Sequence, residues 1–155
     1  MKIANLLTPE RMRSGAKVNS KKRSLELLSE LVTGDAADPM TRTVFESLIG
    51  RERLGSTGLG RGVALPHARV SGIDEPVGAM VQLEAPIDFD AIDKQPVDLL
   101  FALVVPENST DAHLRILANL AEMFRETEFC DRLRQSGSPE SMYELLRQRQ
   151  DGGGA

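Results

Sequence analysis

The chain of 155 residues has two histidines, His67 and His113, and imidazole is the side chain best suited to carrying a proton or a transferable group near neutral pH. His67 follows Val63-Ala64-Leu65-Pro66, a short strand pattern stopped by proline. Pro66 fixes its own φ and restricts Leu65, so His67 is expected to leave the sheet at a rigid point, as a nucleophile or ligand requires. His113 precedes Leu117, Leu120 and Phe124 by four, seven and eleven residues, which puts it on the inward face of a helix, in the first turn. The partial positive charge of a helix start disfavours imidazolium there and keeps the ring neutral. Taken alone, His113 reads first as a residue satisfying a hydrogen bond at that helix start.

Gly55-Ser56-Thr57-Gly58-Leu59-Gly60-Arg61-Gly62 holds four glycines and reads as a loop. No Gly-Lys-Ser/Thr closes it, and Val63 stands where Gly-x-Gly-x-x-Gly needs its last glycine, so nucleotide binding is poorly supported. Its bare amides can approach an anion, and Ser56 and Thr57 add hydroxyls. Gly55, Ser56, Thr57 and Gly58 are therefore phosphate-binding candidates, against the plainer reading of a tight helix-to-strand connection. Arg51 lies just upstream, where a guanidinium could clamp the same anion, although a lone surface arginine is ordinarily a solvated charge. Two imidazoles, an arginine and free amides together describe a site for a phosphoryl group on histidine. Metal binding is the rival reading. It needs a third or fourth ligand, and Cys130, within Phe129-Cys130-Asp131-Arg132-Leu133, reads as a small core residue. A hydrolase built on Ser56 or Ser109 lacks a Gly-x-Ser-x-Gly elbow.

The elements that must hold these residues follow from periodicity. Ser20 caps a helix with Leu25, Leu28, Leu31 and Val32 at helical spacing, and a second helix runs from Asp38-Pro39 to about Arg53 with Val44, Phe45, Leu48 and Ile49 inward. Val77 to Leu83 alternates as a strand does. Val97 to Val105, almost wholly apolar, predicts a central strand buried on both faces. A turn at Pro106-Glu107-Asn108-Ser109 leads into a helix marked by Leu114, Leu117, Leu120, Ala121 and Phe124, and helices follow over 128–135 and 139–148. Interleaved helices and strands predict a single α/β domain over residues 1–148, a sandwich with a mixed, mostly parallel sheet flanked by helices. Residues 149–155 read as a disordered C-terminal tail.

Composition narrows the function. Lys and Arg total 19 against 23 Asp and Glu, a net charge of −4, with five Phe, one Tyr and no Trp. That balance argues against a nucleic-acid binder, which needs a basic face and stacking platforms. The apolar run from Leu99 to Pro106 is far short of the ~20 residues of a membrane span. Met1-Lys2-Ile3-Ala4-Asn5 leads into polar residues without an export signal, and one cysteine suits a reduced compartment, so a cytoplasmic protein is expected.

Glu52 to Ala68 resembles the active-site signature of the fructose/mannitol class of enzyme IIA of the phosphoenolpyruvate-dependent phosphotransferase system. Residues 89–103, Phe-Asp-Ala-Ile-Asp-Lys-Gln-Pro-Val-Asp-Leu-Leu-Phe-Ala-Leu, and the helix start Ser20-Lys21-Lys22-Arg23 resemble its nitrogen-regulatory branch. The likeness runs from about Ile3 to about Arg147. It implies that His67 is the phosphorylated histidine, that His113 is the second histidine of a His-Leu pair, and that Arg51 is the arginine ahead of the Gly-Ser-Thr-Gly loop. It also implies a mixed sheet between helices and a phosphoryl group received from an HPr-like phosphocarrier. Targets implied for this branch are potassium transporters or sensor kinases; the alternative is a sugar-specific component passing phosphate to a fructose- or mannitol-type IIB domain. No cofactor is expected, and no metal, since no carboxylate pair is on offer for Mg²⁺. Two positions depart from many relatives: Arg61 replaces Asn and adds charge beside the site, and Ala68 replaces Gly.

Overall fold

The computed structural model describes residues 3–109 and 111–153. After 3-10 turns at Ile3–Leu6 and Pro9–Arg11, the chain forms β1 (Met12–Ala16), α1 (Lys21–Thr33), α2 (Pro39–Glu52), β2 (Gly58–Gly60), β3 (Val63–Ala64) and β4 (His67–Val70). It continues as β5 (Val77–Ile87), β6 (Val97–Pro106), α3 (Asp111–Met123), α4 (Thr127–Gln135) and α5 (Pro139–Gly153). The caps read from sequence are in place. The Ser20 side chain accepts the N–H of Arg23 to start α1, and that of Asp38 accepts the N–H of Met40 to start α2, with Pro39 where no donor is needed.

One sheet runs in the order β1-β5-β6-β3-β2, with β4 also paired to β6. β1 lies parallel to β5, and both β3 and β4 lie parallel to β6; β5–β6 and β2–β3 are antiparallel. The predicted mixed, mostly parallel sheet between helices is thus the observed one. β6 is its centre, and alternate residues feed two cores. Leu99, Phe101, Leu103 and Val105 pack with residues of α3, α4, α5 and the N-terminal turns. Leu100, Ala102 and Val104 pack with Leu25 and Leu28 of α1 and Val44 and Leu48 of α2. All seven are at most 2% exposed, and each Leu, Val or Phe among them contributes about 1.5–3 kcal/mol by burial.

Several local expectations need correction. Leu65-Pro66 interrupts a strand and does not end one: Val63 and Ala64 align with Leu99 and Leu100, then His67–Val70 with Leu103–Pro106. Leu103 donates to the Pro66 carbonyl across the gap. Proline removes one donor only, so β6 recaptures the chain and His67 opens β4 within the sheet. The glycine stretch is partly strand, because β2 pairs with β3. At Gly58 a Cβ would stand 2.7 Å from the Ala91 Cβ, so the residue serves close packing. Leu114 is 57% exposed, and Ile116 takes the inward place. α5 continues to Gly153, and Arg149 pairs with Glu126, where the sequence predicts a tail. The rest of that predicted tail, residues 154 and 155, lies outside the described residues. No helix among the described residues is long and apolar enough to cross a membrane.

Candidate functional site

β4 pairs with β6 along one edge, and the end of α2 stands beside it. The end of α2, β4 and the start of α3 enclose a cleft of about 440 Å³ that His67, Arg51 and His113 all line, with Arg69 and Leu54 beside them. His67 and Arg69 lie two residues apart on β4 and so share the face on which Leu103 and Val105, their partners in register, also point. His113 enters from the first turn of α3.

The His67 ring is oriented by its own chain. Nδ1 lies 2.8 Å from the carbonyl oxygen of Leu65, in the strand interruption. A carbonyl can only accept, so Nδ1 carries the hydrogen and Nε2 keeps its lone pair. Burial pushes the imidazole below its ordinary pKa of 6.5, and Arg51 and His113 push the same way, while the Leu65 carbonyl and the Glu52 carboxylate oppose. His67 is therefore neutral at pH 7, with a free nitrogen available for attack.

Arg51 sits in the last turn of α2, and its Nη1 donates to the Gly55 carbonyl at 2.9 Å. Gly55 has φ 153, a backbone setting that L side chains rarely adopt, and this lets its carbonyl face the helix end. His113 is 8% exposed. Among the described residues its Nδ1 is a buried side-chain nitrogen with no hydrogen-bond partner, so this atom does not satisfy a bond at the helix start.

The loop candidates are engaged elsewhere. Thr57 donates its N–H to both Glu52 oxygens at 3.1 Å and its hydroxyl to Glu52 Oε2. Ser56 Oγ donates to the Phe89 carbonyl at 2.9 Å and accepts the N–H of Gly58 at 3.0 Å. None of Gly55, Ser56, Thr57 and Gly58 lines the cleft, and the Gly55, Thr57 and Gly58 amides and both hydroxyls are bonded within the protein. Of these four, Gly55 bonds Arg51, through its carbonyl. Arg61 also points away: its guanidinium donates to the Arg125 carbonyl, and its φ of 58 is one that Asn adopts more readily. Among the described residues no group of three or more His, Cys, Asp or Glu could hold a metal ion. Cys130 is buried, its thiol pKa pushed up by burial and its Sγ donating to the Phe124 carbonyl at 3.3 Å.

Residues 5–149 match the family described as "Phosphoenolpyruvate-dependent sugar phosphotransferase system, EIIA 2". The chain belongs to this family. The nitrogen regulatory protein of Pseudomonas aeruginosa is 43% identical to this EIIA domain over 152 residues, 98% of this chain and 99% of the relative. The crystal structure of nitrogen regulatory protein IIA-Ntr from Neisseria meningitidis matches it with a TM-score of 0.85 at 39% identity, covering 93% of this chain and 98% of that one. The mannitol enzyme IIA of Escherichia coli, solved with phosphorylated mannitol enzyme IIB, has a TM-score of 0.75 at 19% identity and covers 92% and 98%. At that identity the likeness speaks for the fold alone.

Two residues at or near this EIIA site escape sequence reasoning: Arg69 and, acting on the charge of His67, Glu52. Arg69 lines the cleft two positions beyond His67, and period-2 alternation along a continued strand would have found it. Glu52 is only 7% exposed at the end of α2. A carboxylate at a helix end ordinarily faces water, and the one signal against that is Thr57, a donor placed just across a glycine turn.

Proposed function

We propose that this EIIA domain accepts a phosphoryl group on His67 Nε2 from the phosphohistidine of an HPr-like carrier, and that the phosphorylation state of His67 governs which proteins it binds. The observation that carries this reading is the Nδ1–H bond to Leu65, which leaves Nε2 free in a cleft shared with Arg51 and His113. In the transfer, the N–P bond of the carrier breaks and its electron pair returns to the carrier imidazole. The Nε2 lone pair of His67 forms the new N–P bond, and Nδ1–H stays on the Leu65 carbonyl, offsetting the charge that grows on the ring. Charge also builds on the equatorial phosphoryl oxygens, where Arg51 and His113 contribute electrostatic stabilisation. Leu54 at 84% exposure and Leu114 at 57% offer apolar footing beside the cleft for a protein donor. Identity of 43% to a nitrogen regulatory protein across nearly all of both chains supports regulation over sugar delivery to a IIB domain. A carrier charged from phosphoenolpyruvate puts this work in the cytoplasm.

The test is incubation with phosphoenolpyruvate, the energy-coupling enzyme and an HPr-like carrier, followed by phosphorus NMR and mass spectrometry. One acid-labile phosphate on Nε2 of His67 is expected, absent from His67→Ala with the fold retained. Phosphate on another residue, or none, refutes the proposal.

A further inference from the structure

We infer that Glu52 is a positioning residue for phosphoryl transfer that acts through Arg51; this rests on the proposed acceptance of phosphate at His67. Its carboxylate is buried at the end of α2, adjacent in sequence to Arg51, and takes the Thr57 N–H on both oxygens and the Thr57 hydroxyl on one. Lys21 Nζ, from the start of α1, lies 3.2 Å from Oε1 and 4.7 Å from the centroid of the Phe89 ring. The Phe89 carbonyl in turn holds Ser56 Oγ. The start of α1, the end of α2, the turn 53–57 and the segment around Phe89 therefore meet at one carboxylate.

Gly55 lies between the two residues so joined. Its N–H donates to the Glu52 carbonyl at 3.1 Å, and its own carbonyl is the acceptor that steadies Arg51. Fixing Glu52 to Thr57 fixes that carbonyl, and through it the guanidinium in the cleft. Burying a carboxylate has an electrostatic cost that an apolar residue at a helix end would avoid. Only a carboxylate accepts from the Thr57 N–H, the Thr57 hydroxyl and a lysine at once, because a carboxamide has one acceptor oxygen and points donors at donors. The tight turn that aims Arg51 thus depends on the charge.

Potassium phosphoramidate, a small N–P donor needing no carrier surface, provides the assay. Rates of His67 phosphorylation are compared in the wild type, Glu52→Gln, Arg51→Ala and the double variant. Glu52→Gln is expected to slow the wild-type reaction about tenfold, but by less than about twofold once Arg51 is alanine, the non-additivity of residues acting as one unit. Should Glu52→Gln not fold, Thr57→Val takes its place, with an expected slowing of about threefold that likewise vanishes beside Arg51→Ala. No slowing, or equal slowing in both backgrounds, overturns the inference; the latter traces the effect to general stability or to the carboxylate's charge on His67. A wild type that takes no phosphate on His67 removes the proposed function itself, and the inference with it.

Discussion

Replacing Arg134 by methionine should cost about 3 kcal/mol of stability while leaving phosphoryl acceptance at His67 unchanged. Arg134 Nε lies 3.0 Å from each Asp98 oxygen, with both side chains 22% exposed. A charge-assisted bond between partly buried groups contributes about 1.5–3 kcal/mol. Nη2 also donates to the Arg61 carbonyl at 2.9 Å, worth about 1 kcal/mol more. The Asp131 partner is 54% exposed and adds only about 0.3 kcal/mol. Methionine keeps the apolar stem, so packing is largely retained. In a chain of 155 residues each kcal/mol moves the melting temperature by about 2–4 °C, giving an expected drop of about 6–12 °C. Arg134 thus ties α4 to the start of β6 through Asp98 and to the β2–β3 turn through the Arg61 carbonyl, and a Cβ at Gly62 would stand 2.7 Å from Arg134 Nη2. Asp98→Leu combined with Arg134→Met should recover part of the loss, because no charge is left unpaired. Calorimetry of the variants, with single-turnover phosphorylation, checks this. A drop below about 2 °C, or slow transfer in a protein of normal stability, would refute it.

Arg51→Ala should slow phosphoryl acceptance about a hundredfold, near 3 kcal/mol in the transition state. Its melting temperature should hardly change, and Arg51→Lys should restore only part of the rate for want of a planar fork; unaltered single-turnover kinetics in Arg51→Ala would remove its role. His113→Gln should keep its melting temperature within about 3 °C and accept phosphate more slowly, whereas a large loss of stability with normal rates would make His113 structural. The unfolded His67 titrates near 6.5 and the folded one lower, so between these values the unfolded chain binds more protons. The stability held by the neutral ring is complete above about pH 6.5 and lost as the pH falls toward the folded value. Melts between about pH 7.5 and 5.5 should therefore show a steeper fall for the wild type than for His67→Gln, and equal slopes would contradict the burial of this ring.

The helices, the central strand β6 and the three residues of the cleft were legible because each rests on a local signal. Ser20 and Asp38 announce caps, Leu99 to Val105 show no polar face, and His113 keeps helical spacing with Leu117 and Leu120. The glycine segment was not legible, since Gly58 is needed for the approach of Ala91, a residue distant in sequence. The same distance hides the partners of Ser56, whose hydroxyl answers Phe89, and of Arg61, whose guanidinium answers Arg125. The β4 segment was misread because proline signals a stop locally, whereas β6 supplies a template that continues beyond it. Glu52 went unseen because burial of a charge depends on Lys21 and Thr57 arriving together.

The cleft draws on all three layers of the sandwich: Arg51 belongs to the α1–α2 layer, His67 to the sheet, and His113 to the layer of α3, α4 and α5. The proposed phosphoryl group on Nε2 would bring about two negative charges to that edge, into the cleft that Arg51 and His113 also line. Bonded to both, it would act as a rivet through the thickness of the protein. A partner resting across the end of α2 and the start of α3 would then meet two layers bridged by that group in the modified protein and joined only through the sheet in the unmodified one. One covalent mark would become a difference in stiffness.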